Sequence, residues 1–378
     1  MFDFPPSRAA ARHRLESFLP DAGAPYAARR NFDEADGVSG LSPYLRHRAL
    51  TEPEVLRAVV TRHGQDRAEK FIAEVFWRTY WKGWLENRPA VWTAYRADWD
   101  RAWNDVQTQG GLRRGWEDAC AGRTGIDAFD HWARQLVDTG YLHNHARMWF
   151  ASIWIFTLRL PWALGADFFL RHLLDGDPAS NTLSWRWVAG VQTVGKTYLA
   201  RPENIATYTR GRFRPDGLAT EAPPLSGPPH PALGPLPVSD ALPTGGRPGL
   251  LVTEEDLTPD WIGLMPVATA RVQVTQARSP LSVAPRVVDF VGALMSEAPG
   301  EAVAPEALAA WVRDHGLTHV VTPHIPTGPT RDALLPVLQA LPVPVLQPIR
   351  PFDQAAWPHA TKGFFAFRKA IPGLLEGL

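Results

Sequence analysis

Residues 176–187 combine side chains that suit a planar redox cofactor. The segment holds the acid Asp177, the amide Asn181 and the tryptophans Trp185 and Trp187. An indole offers a flat apolar face, while an acid and an amide supply hydrogen bonds that orient a polar ring system. The chain has 16 tryptophans, and 13 of them precede residue 190. This pattern predicts a buried cofactor in the first half of the chain; the alternative is that the tryptophans only pack a core.

A second cluster lies on one predicted helix. Glu74, Trp77, Arg78 and Trp81 are three or four positions apart, so they share a helix face. A carboxylate and an indole suit an extruded nucleobase, and the planar guanidinium of Arg78 suits a phosphate. The alternative interpretation is a surface salt bridge beside core aromatics.

Two polar helix starts are further candidates. Residues 37–45 combine flexible glycines with Ser39 and Ser42, whose hydroxyls and backbone NH groups suit a phosphate; the alternative is a capped helix start. Residues 143–148 carry several polar side chains ahead of an apolar run, which indicates either ligand binding or helix capping. A metal site is disfavoured there, because two histidines two positions apart on a helix point in different directions.

The elements that position these residues follow from the spacing of apolar side chains. Before residue 212 the apolar spacing is helical, and it predicts helices over residues 68–84, 127–138, 142–160 and 166–174. After residue 248 short apolar runs alternate with helical patterns, which predicts parallel strands over 249–253, 319–322 and 343–346 and helices over 305–315 and 331–340. The proline within 343–346 favours a sheet edge for that strand.

We therefore expect a mainly α protein with a smaller C-terminal α/β domain. The predicted boundaries are a helical domain over residues 1–211, a Pro- and Gly-rich linker over 212–248 and the α/β domain over 249–378.

Composition narrows the class of protein. The chain has 378 residues, of which 45% are hydrophobic and 21% are charged, as in globular proteins. Its single cysteine, Cys120, excludes an internal disulfide. Residues 1–212 carry 28 basic against 24 acidic side chains, which permits a polyanionic partner. With no apolar run long enough for a membrane span and no targeting signal, we expect a cytoplasmic protein without membrane contact.

Together these segments resemble the FAD-binding helical domain of the cryptochrome/photolyase family. That family has, in order, a Gly-Thr-Ser-Arg-Leu-Ser-Pro-Tyr-Leu loop, a Trp-Arg-Glu-Phe-Tyr helix, a Gly-Arg-Thr-Gly-Tyr-Pro turn, a Trp-Met-His-Asn-Arg-Leu-Arg-Met helix start and a Leu-Ile-Asp-Gly-Asp-Leu-Ala-Ala-Asn-Asn-Gly-Gly-Trp-Gln-Trp segment. The similar stretches here follow in the same order and start at Gly37, Trp77, Gly122, Tyr141 and Leu173.

The resemblance implies FAD as the cofactor and assigns its contacts. Phosphate and ribityl contacts would come from Tyr26, Ser39, Leu41, Ser42 and Arg78. Beside the isoalloxazine, the resemblance implies an Arg147 to Asp175 pair, Asp177 holding the flavin and Asn181 facing its N5. Whether an antenna chromophore binds is unknown from the sequence.

The resemblance also assigns a substrate pocket and an electron path. The residues at the positions that line the pyrimidine-dimer pocket of cyclobutane-type photolyases are Glu74, Trp77, Asn144, Met148 and Trp187. Trp185 and Trp162 match the proximal and intermediate tryptophans of the photoreduction chain, with Trp99, Trp103 and Trp116 as candidates for the terminal one.

Some positions depart from the family pattern. Val38 replaces a threonine of the phosphate loop, His145 replaces an arginine, and Thr182 replaces the second asparagine. The family places an α/β antenna domain before the helical domain, and residues 360–369 loosely resemble the end of that domain. We expect the C-terminal domain to be the antenna domain relocated by circular permutation; the alternative is an unrelated or truncated α/β module.

The resemblance thus implies a blue-light flavoprotein of the photolyase type. Its expected activity is light-driven electron transfer from reduced FAD to a flipped cyclobutane pyrimidine dimer in DNA, with Glu74, Asn144, Asn181, Trp162 and Trp185 as the catalytic residues and no metal. The alternative functions are a cryptochrome-like light sensor that acts through a protein partner and a flavin-binding remnant with neither role.

Overall fold

The computed structural model describes residues 3–227 and 230–378. Pro228 and Pro229 of the predicted linker, and the first two residues of the predicted helical domain, lie outside the described residues. Before the linker the described chain is helical, with α1 (Arg8–Phe18), α2 (Ala24–Arg29), α3 (Ser42–Arg46), α4 (Glu52–His63), α5 (Glu69–Glu86), α6 (Ala90–Thr108), α7 (Gly110–Ala121), α8 (Asp127–Thr139), α9 (Asn144–Ser152), α10 (Trp162–His172), α11 (Pro178–Val188) and α12 (Pro202–Tyr208).

Local sequence accounts for several helix ends. Thr51 and Glu54 form a capping box at the start of α4, and the Asp177 side chain accepts a hydrogen bond from Ser180 N at the start of α11. Gly140 ends α8 in a left-handed conformation with φ +70°. The helix predicted over 142–160 is interrupted, since α9 gives way to a π-helical stretch, Ile153–Thr157.

After the linker the chain forms a five-stranded parallel sheet in the order β3-β2-β1-β4-β5. The strands are β1 (Pro248–Thr253), β2 (Ala268–Val272), β3 (Glu301–Ala302), β4 (His319–Val321) and β5 (Val345–Leu346). The helices beside the sheet are α13 (Pro285–Ser296), α14 (Leu308–Asp314) and α15 (Pro329–Gln339). The predicted fold class, mainly α with a smaller C-terminal α/β domain, is confirmed.

The two faces of the sheet pack against different partners. Leu251 lies in a small core with Trp311 of α14 and Leu334 of α15. Leu250 and Val252, on the opposite face, belong to the main core that continues into the helical domain. Burial on both faces explains the continuous apolar run of β1.

The end of the chain returns to the helical domain as α16 (Pro351–Ala356), α17 (Phe364–Phe367) and α18 (Ile371–Glu376). Phe76 of α5 lies 5.7 Å from Phe352 and 6.1 Å from Phe367, measured between ring centroids. The last helices therefore pack on α5 rather than on the sheet. Within the described residues, no helix is both long and apolar enough to cross a membrane.

Gly83 permits this close packing of α5 against the turn that follows α16. A Cβ atom at Gly83 would lie 2.7 Å from Trp357 Cδ1 and 3.0 Å from Trp357 Cα. We expect Gly83→Ala to lower the free energy of unfolding by about 1–3 kcal/mol, since the backbone of the turn must shift. The measurement is urea unfolding of the purified variant.

Gly115→Ala, in the middle of α7, is the matched control. Its Cβ atom would meet Leu160 Cδ2 at an ordinary 3.6 Å, so the better helix propensity of alanine should raise stability by up to about 1 kcal/mol. Equal stabilities for the two variants would contradict the proposed role of Gly83.

Candidate functional site

A cavity of about 950 Å³ opens among α2, residues 38–42, α5, α9 and α11. All but one of the predicted site residues line it: Tyr26, Ser39, Leu41, Ser42, Glu74, Trp77, Arg78, Asn144, Arg147, Met148, Asp175, Asp177, Asn181, Trp185 and Trp187. The exception is Trp162. Segments that are far apart in the chain thus meet around one space of the size that large ligands occupy.

Asp177 is a buried carboxylate of the cavity wall with several cations beside it. Its Oδ1 accepts from Ser180 N at 2.8 Å, and its Oδ2 lies 3.0 Å from Lys82 Nζ. Burial alone would raise the pKa of this carboxyl, but Lys82, Arg46 and Arg78 outweigh burial and hold the pKa far below its usual range. The side chain is therefore a fixed anion at neutral pH.

Arg147 and Asp175 form the ion pair that the resemblance implies. Arg147 Nη2 donates to Asp175 Oδ2 at 2.8 Å, and its Nε donates to Leu142 O at 2.9 Å. Burial would raise the pKa of Asp175, yet Arg147 lowers it overall. The guanidinium is held by two contacts in the cavity wall, so its planar face has a defined orientation there.

Asn181 and Trp185 lie one helical turn apart on α11. Asn181 Nδ2 donates to Ala166 O at 2.8 Å, which leaves its Oδ1 as the acceptor for a ligand. Trp185 is buried against α10 at Gly165, where a Cβ atom would lie 2.3 Å from Trp185 Cη2. Glycine at position 165 is thus required for this close approach.

Several buried polar atoms of cavity-lining residues make no hydrogen bond to any described residue: Arg78 Nη1, Arg88 Nη1, Asp175 Oδ1, Asp177 Oδ2, Trp185 Nε1 and His230 Nδ1. Buried polar atoms usually have such a partner. Asp177 Oδ2 has the ammonium of Lys82 beside it, whereas the cavity offers donors such as Arg78 Nη1 and Trp185 Nε1 to a ligand, in addition to its aromatic walls.

Three of the five predicted substrate residues already have protein partners. Glu74 pairs with Arg30 at 2.6 Å, and the Trp77 ring stacks on Phe364 with centroids 3.7 Å apart and planes 12° apart. Trp187 stacks on Tyr198 at 5.7 Å. One face of Trp77 is therefore covered by the chain itself.

Sequence reasoning missed the contribution of the C-terminal region to this site. The residues from this region that line the cavity are Thr361, Lys362, Gly363, Phe364 and Phe365. Neither the spacing nor the resemblance placed them near Trp77, because the contact joins segments almost three hundred residues apart; the aromatic cluster itself was the only local signal.

The tryptophans predicted to carry electrons contact different aromatic neighbours. Trp185 lies 6.2 Å from Trp154, a residue that the sequence did not single out, whereas the Trp162 ring lies 5.7 Å from Tyr95. The three candidates for the terminal position are in contact with one another: Trp99 stacks on Trp103 at 5.8 Å, and Trp103 lies 5.2 Å from Trp116.

The polar residues at the start of α9 include a helix cap. His143 Nδ1 accepts from His145 N at 3.1 Å, and its Nε2 lies 3.1 Å from Arg30 O. Burial lowers the pKa of His143 to about 3, so it is neutral. His145 stacks on Tyr208 at 5.2 Å. For these two residues the contacts favour the capping interpretation, whereas Asn144 and Arg147 line the cavity.

Residues 71–217 match the family described as the FAD binding domain of DNA photolyase. The helical part of the chain is thus similar to the FAD-binding domain of the cryptochrome/photolyase family. The deoxyribodipyrimidine photo-lyase of Synechococcus sp. is 33% identical over 197 residues, which are 50% of this chain and 40% of that protein. The deoxyribodipyrimidine photo-lyase of Streptomyces griseus is 35% identical over 185 residues, 49% of this chain and 39% of that protein.

The chain thus matches well under half the length of these photolyases. A crystal structure of a bacterial class III photolyase from Agrobacterium tumefaciens is 28% identical and covers 52% of this chain and 39% of that one, with a TM-score of 0.42. The photolyase-type match includes nearly all of α5 and the whole of α9 and α11, which carry a large part of the cavity wall.

Phe364 is expected to stabilise the photolyase-type domain through its contact with Trp77. Phe364 is 6% exposed, so we expect Phe364→Ala to lower the free energy of unfolding by about 3 kcal/mol or more. Its neighbour Phe365 is 80% exposed, and Phe365→Ala should change stability by about 0.5 kcal/mol at most. Urea unfolding checks both; a mild effect of Phe364→Ala would show that the stack contributes little.

Proposed function

We propose that the chain is a photolyase-type flavoprotein that binds FAD in the cavity and uses blue light to repair cyclobutane pyrimidine dimers in DNA. The observation that carries this proposal is the convergence of the predicted cofactor and substrate residues on one cavity. The photolyase-type helical domain supports FAD as the ligand.

The residues present fit FAD. Arg78, whose Nη1 lacks a hydrogen-bond partner among the described residues, would bind the phosphates, together with Ser39, Leu41 and Ser42 from the loop before α3 and with Tyr26. A guanidinium and nearby hydroxyls are a suitable donor set for a pyrophosphate.

At the ring end, Asp177 and the Arg147 to Asp175 pair would hold the isoalloxazine, and Asn181 Oδ1 would accept a hydrogen bond from a ring N–H. When reduced and excited by blue light, a bound flavin supplies one electron to an acceptor held beside it. The protein's part is to position that acceptor and to exclude water around it.

An extruded dimer would enter between Trp77 and Trp187, with Asn144 and Met148 beside them. Bases stack on indole faces, which contributes about 1–3 kcal/mol per base. Glu74 keeps acceptor capacity for a base edge, because a carboxylate has about four lone-pair sites and the Arg30 pair uses only part of them.

The alternative, a light sensor that acts through a protein partner without repair, is favoured by one observation. Phe364 covers a face of Trp77, so the C-terminal region is in direct contact with the place where a substrate would bind. A change at the flavin site could therefore reach this region in the absence of DNA.

We further propose that the α/β domain, with its boundaries near residues 249–378, is a relocated antenna domain. Its support is an all-parallel sheet with helices on both faces that docks on the helical domain. Superposition of both domains on a full-length photolyase tests this, since a different docking position would exclude relocation.

Electron supply to the cavity is testable through Trp185. We expect Trp185→Phe to slow blue-light photoreduction of bound FAD at least about tenfold, because Trp185 is the proposed proximal electron donor. Trp311→Phe, a buried tryptophan under the sheet, is the control and should photoreduce like wild type. Equal rates for the two variants would remove Trp185 from the electron path.

Repair itself is tested with the chemically reduced protein, blue light and an oligonucleotide that contains a thymine dimer. Wild type should restore thymines, and Glu74→Gln should repair at least about tenfold more slowly, because a charge-assisted hydrogen bond to the base is lost. Glu117→Gln, at an exposed ion pair on α7, is the control.

The outcomes separate the two functions. Flavin binding and photoreduction without repair would support the sensor and exclude the photolyase activity. A protein that takes up no FAD would exclude both.

A further inference from the structure

The carboxyl end of β1 carries three consecutive buried acids, Glu254, Glu255 and Asp256. Strand order reverses between β1 and β4, and in open parallel sheets such a reversal creates a crevice at the carboxyl ends where ligands bind. Here the helical domain enters that crevice with buried cations, among them Arg46 from the end of α3 and Lys82 from α5.

Glu255 is the centre of these contacts. Both of its oxygens accept from Arg46, at 2.7 Å each, and Oε1 also accepts from Thr330 Oγ1 at 2.8 Å. Its Oε2 lies 3.7 Å from Lys82 Nζ. Burial would raise the pKa of Glu255, but Arg46 and Lys82 hold it far below its usual range. The carboxylate is thus a permanent buried anion.

The same two cations also contact Asp177. Lys82 Nζ lies 3.0 Å from Asp177 Oδ2, and Arg46 Nε lies 3.9 Å from that oxygen. Arg46 Nε also donates to Gly176 O at 2.9 Å. Glu255 and Asp177 therefore share Lys82 and Arg46 as counterions, although Asp177 lines the cavity and Glu255 does not.

A second contact from the α/β domain holds the same turn, residues 173–177. Arg278 Nη1 donates to Leu173 O at 3.2 Å and lies beside Gly176, where a Cβ atom would be 3.2 Å from it. The turn that carries Asp175 and Asp177 is thus supported by the α/β domain directly through Arg278 and indirectly through Glu255.

We propose that Glu255 of the α/β domain is a positioning residue for the flavin site, because it fixes how Arg46 and Lys82 are shared with Asp177. Without its negative charge, Lys82 keeps Asp177 as its ion-pair partner, and Arg46 keeps Asp177 together with the more distant Glu254. Part of their charge then lies uncompensated beside the cavity, in surroundings where screening by water is weak. The inference rests on the proposed FAD binding and adds a residue from the other domain to it.

The test compares Glu255→Gln with Asp353→Asn. Asp353, in α16, is also a buried carboxylate and accepts from Arg48 Nη2 at 2.6 Å, but it does not line the cavity. Each variant replaces one carboxylate oxygen by an amide group in an arginine pair. Both variants are thus expected to be less stable than wild type, and the melting temperature of each apoprotein measures this loss of stability.

The expected difference lies in the flavin. Glu255→Gln should raise the FAD dissociation constant about tenfold or more, because Arg46 and Lys82 are no longer held in their shared positions beside Asp177. It should also shift the flavin midpoint potential to a more positive value, since added positive charge favours the reduced, more anionic ring. Asp353→Asn should leave the dissociation constant within about twofold of wild type and the midpoint potential unshifted. Equal changes in the two variants would overturn the proposal.

Lys82→Met gives a second test of opposite sign, which also serves if Glu255→Gln does not fold. It removes a positive charge from the same cluster, so the midpoint potential should shift to a more negative value. Potentials that move in the same direction in both variants, or not at all, would exclude the electrostatic role. If wild type binds FAD normally and Glu255→Gln binds it equally well, only this inference fails; if wild type binds no FAD, the proposed function fails as well.

Discussion

The docking of the two domains depends on the pairing of charge that is buried between them. Arg46 meets Glu255 and Arg48 meets Asp256, and all four side chains are almost inaccessible to water. Removing one partner of such a pair costs about 3–5 kcal/mol, because the other charge is left without compensation. An alternative docking position would leave several charges unpaired, so this network selects one arrangement. Arg48 even adopts a left-handed backbone, with φ 53°, at the position where it reaches two acids.

Helix α5 connects the network, the cavity and the C-terminal region because its side chains point in three directions. Glu74, Trp77 and Arg78 line the cavity, Lys82 enters the charge network, and Phe76 packs on the last helices. The geometry of an 18-residue helix thus couples three surfaces that are otherwise unrelated in sequence. Displacement of α5 would disturb all three surfaces. A side chain at position 83 would push α5 away from Trp357, which explains why this position is glycine.

Local patterns predicted the helices and the strands with the strongest apolar runs. The helix predicted over 127–138 corresponds to α8 because Phe129, Trp132, Ala133 and Leu136 all face the core at helical spacing. Strand β2 escaped prediction because its burial is incomplete and polar residues interrupt its apolar run, and β3 because it has only two residues. Short elements of this kind depend on their neighbours rather than on their own sequence.

Only the family resemblance could predict that the cavity residues form one site, whereas the interdomain contacts could not be predicted at all. Arg46 and Glu255 are separated by 209 positions, and nothing in the sequence near either residue indicates the other. A buried acid after a strand predicts some partner, yet its identity is decided by how the domains dock. The same reasoning applies to Phe364, whose partner Trp77 lies almost three hundred positions earlier in the chain.

The stack of Phe364 on Trp77 limits how a flipped base can bind. A centroid distance of 3.7 Å leaves no space for a third ring between the two, so a base must use the other face of the indole or displace Phe364. An aromatic pair contributes about 0.5–1.5 kcal/mol beyond the area that it buries, but Phe364 also loses a buried site when it moves, which costs several times more. A stacked base contributes about 1–3 kcal/mol and cannot offset that cost alone. Under the proposed function, binding to the face of Trp77 opposite Phe364, with Phe364 in place, is therefore the favoured geometry, and the C-terminal region would support the pocket instead of competing with the substrate.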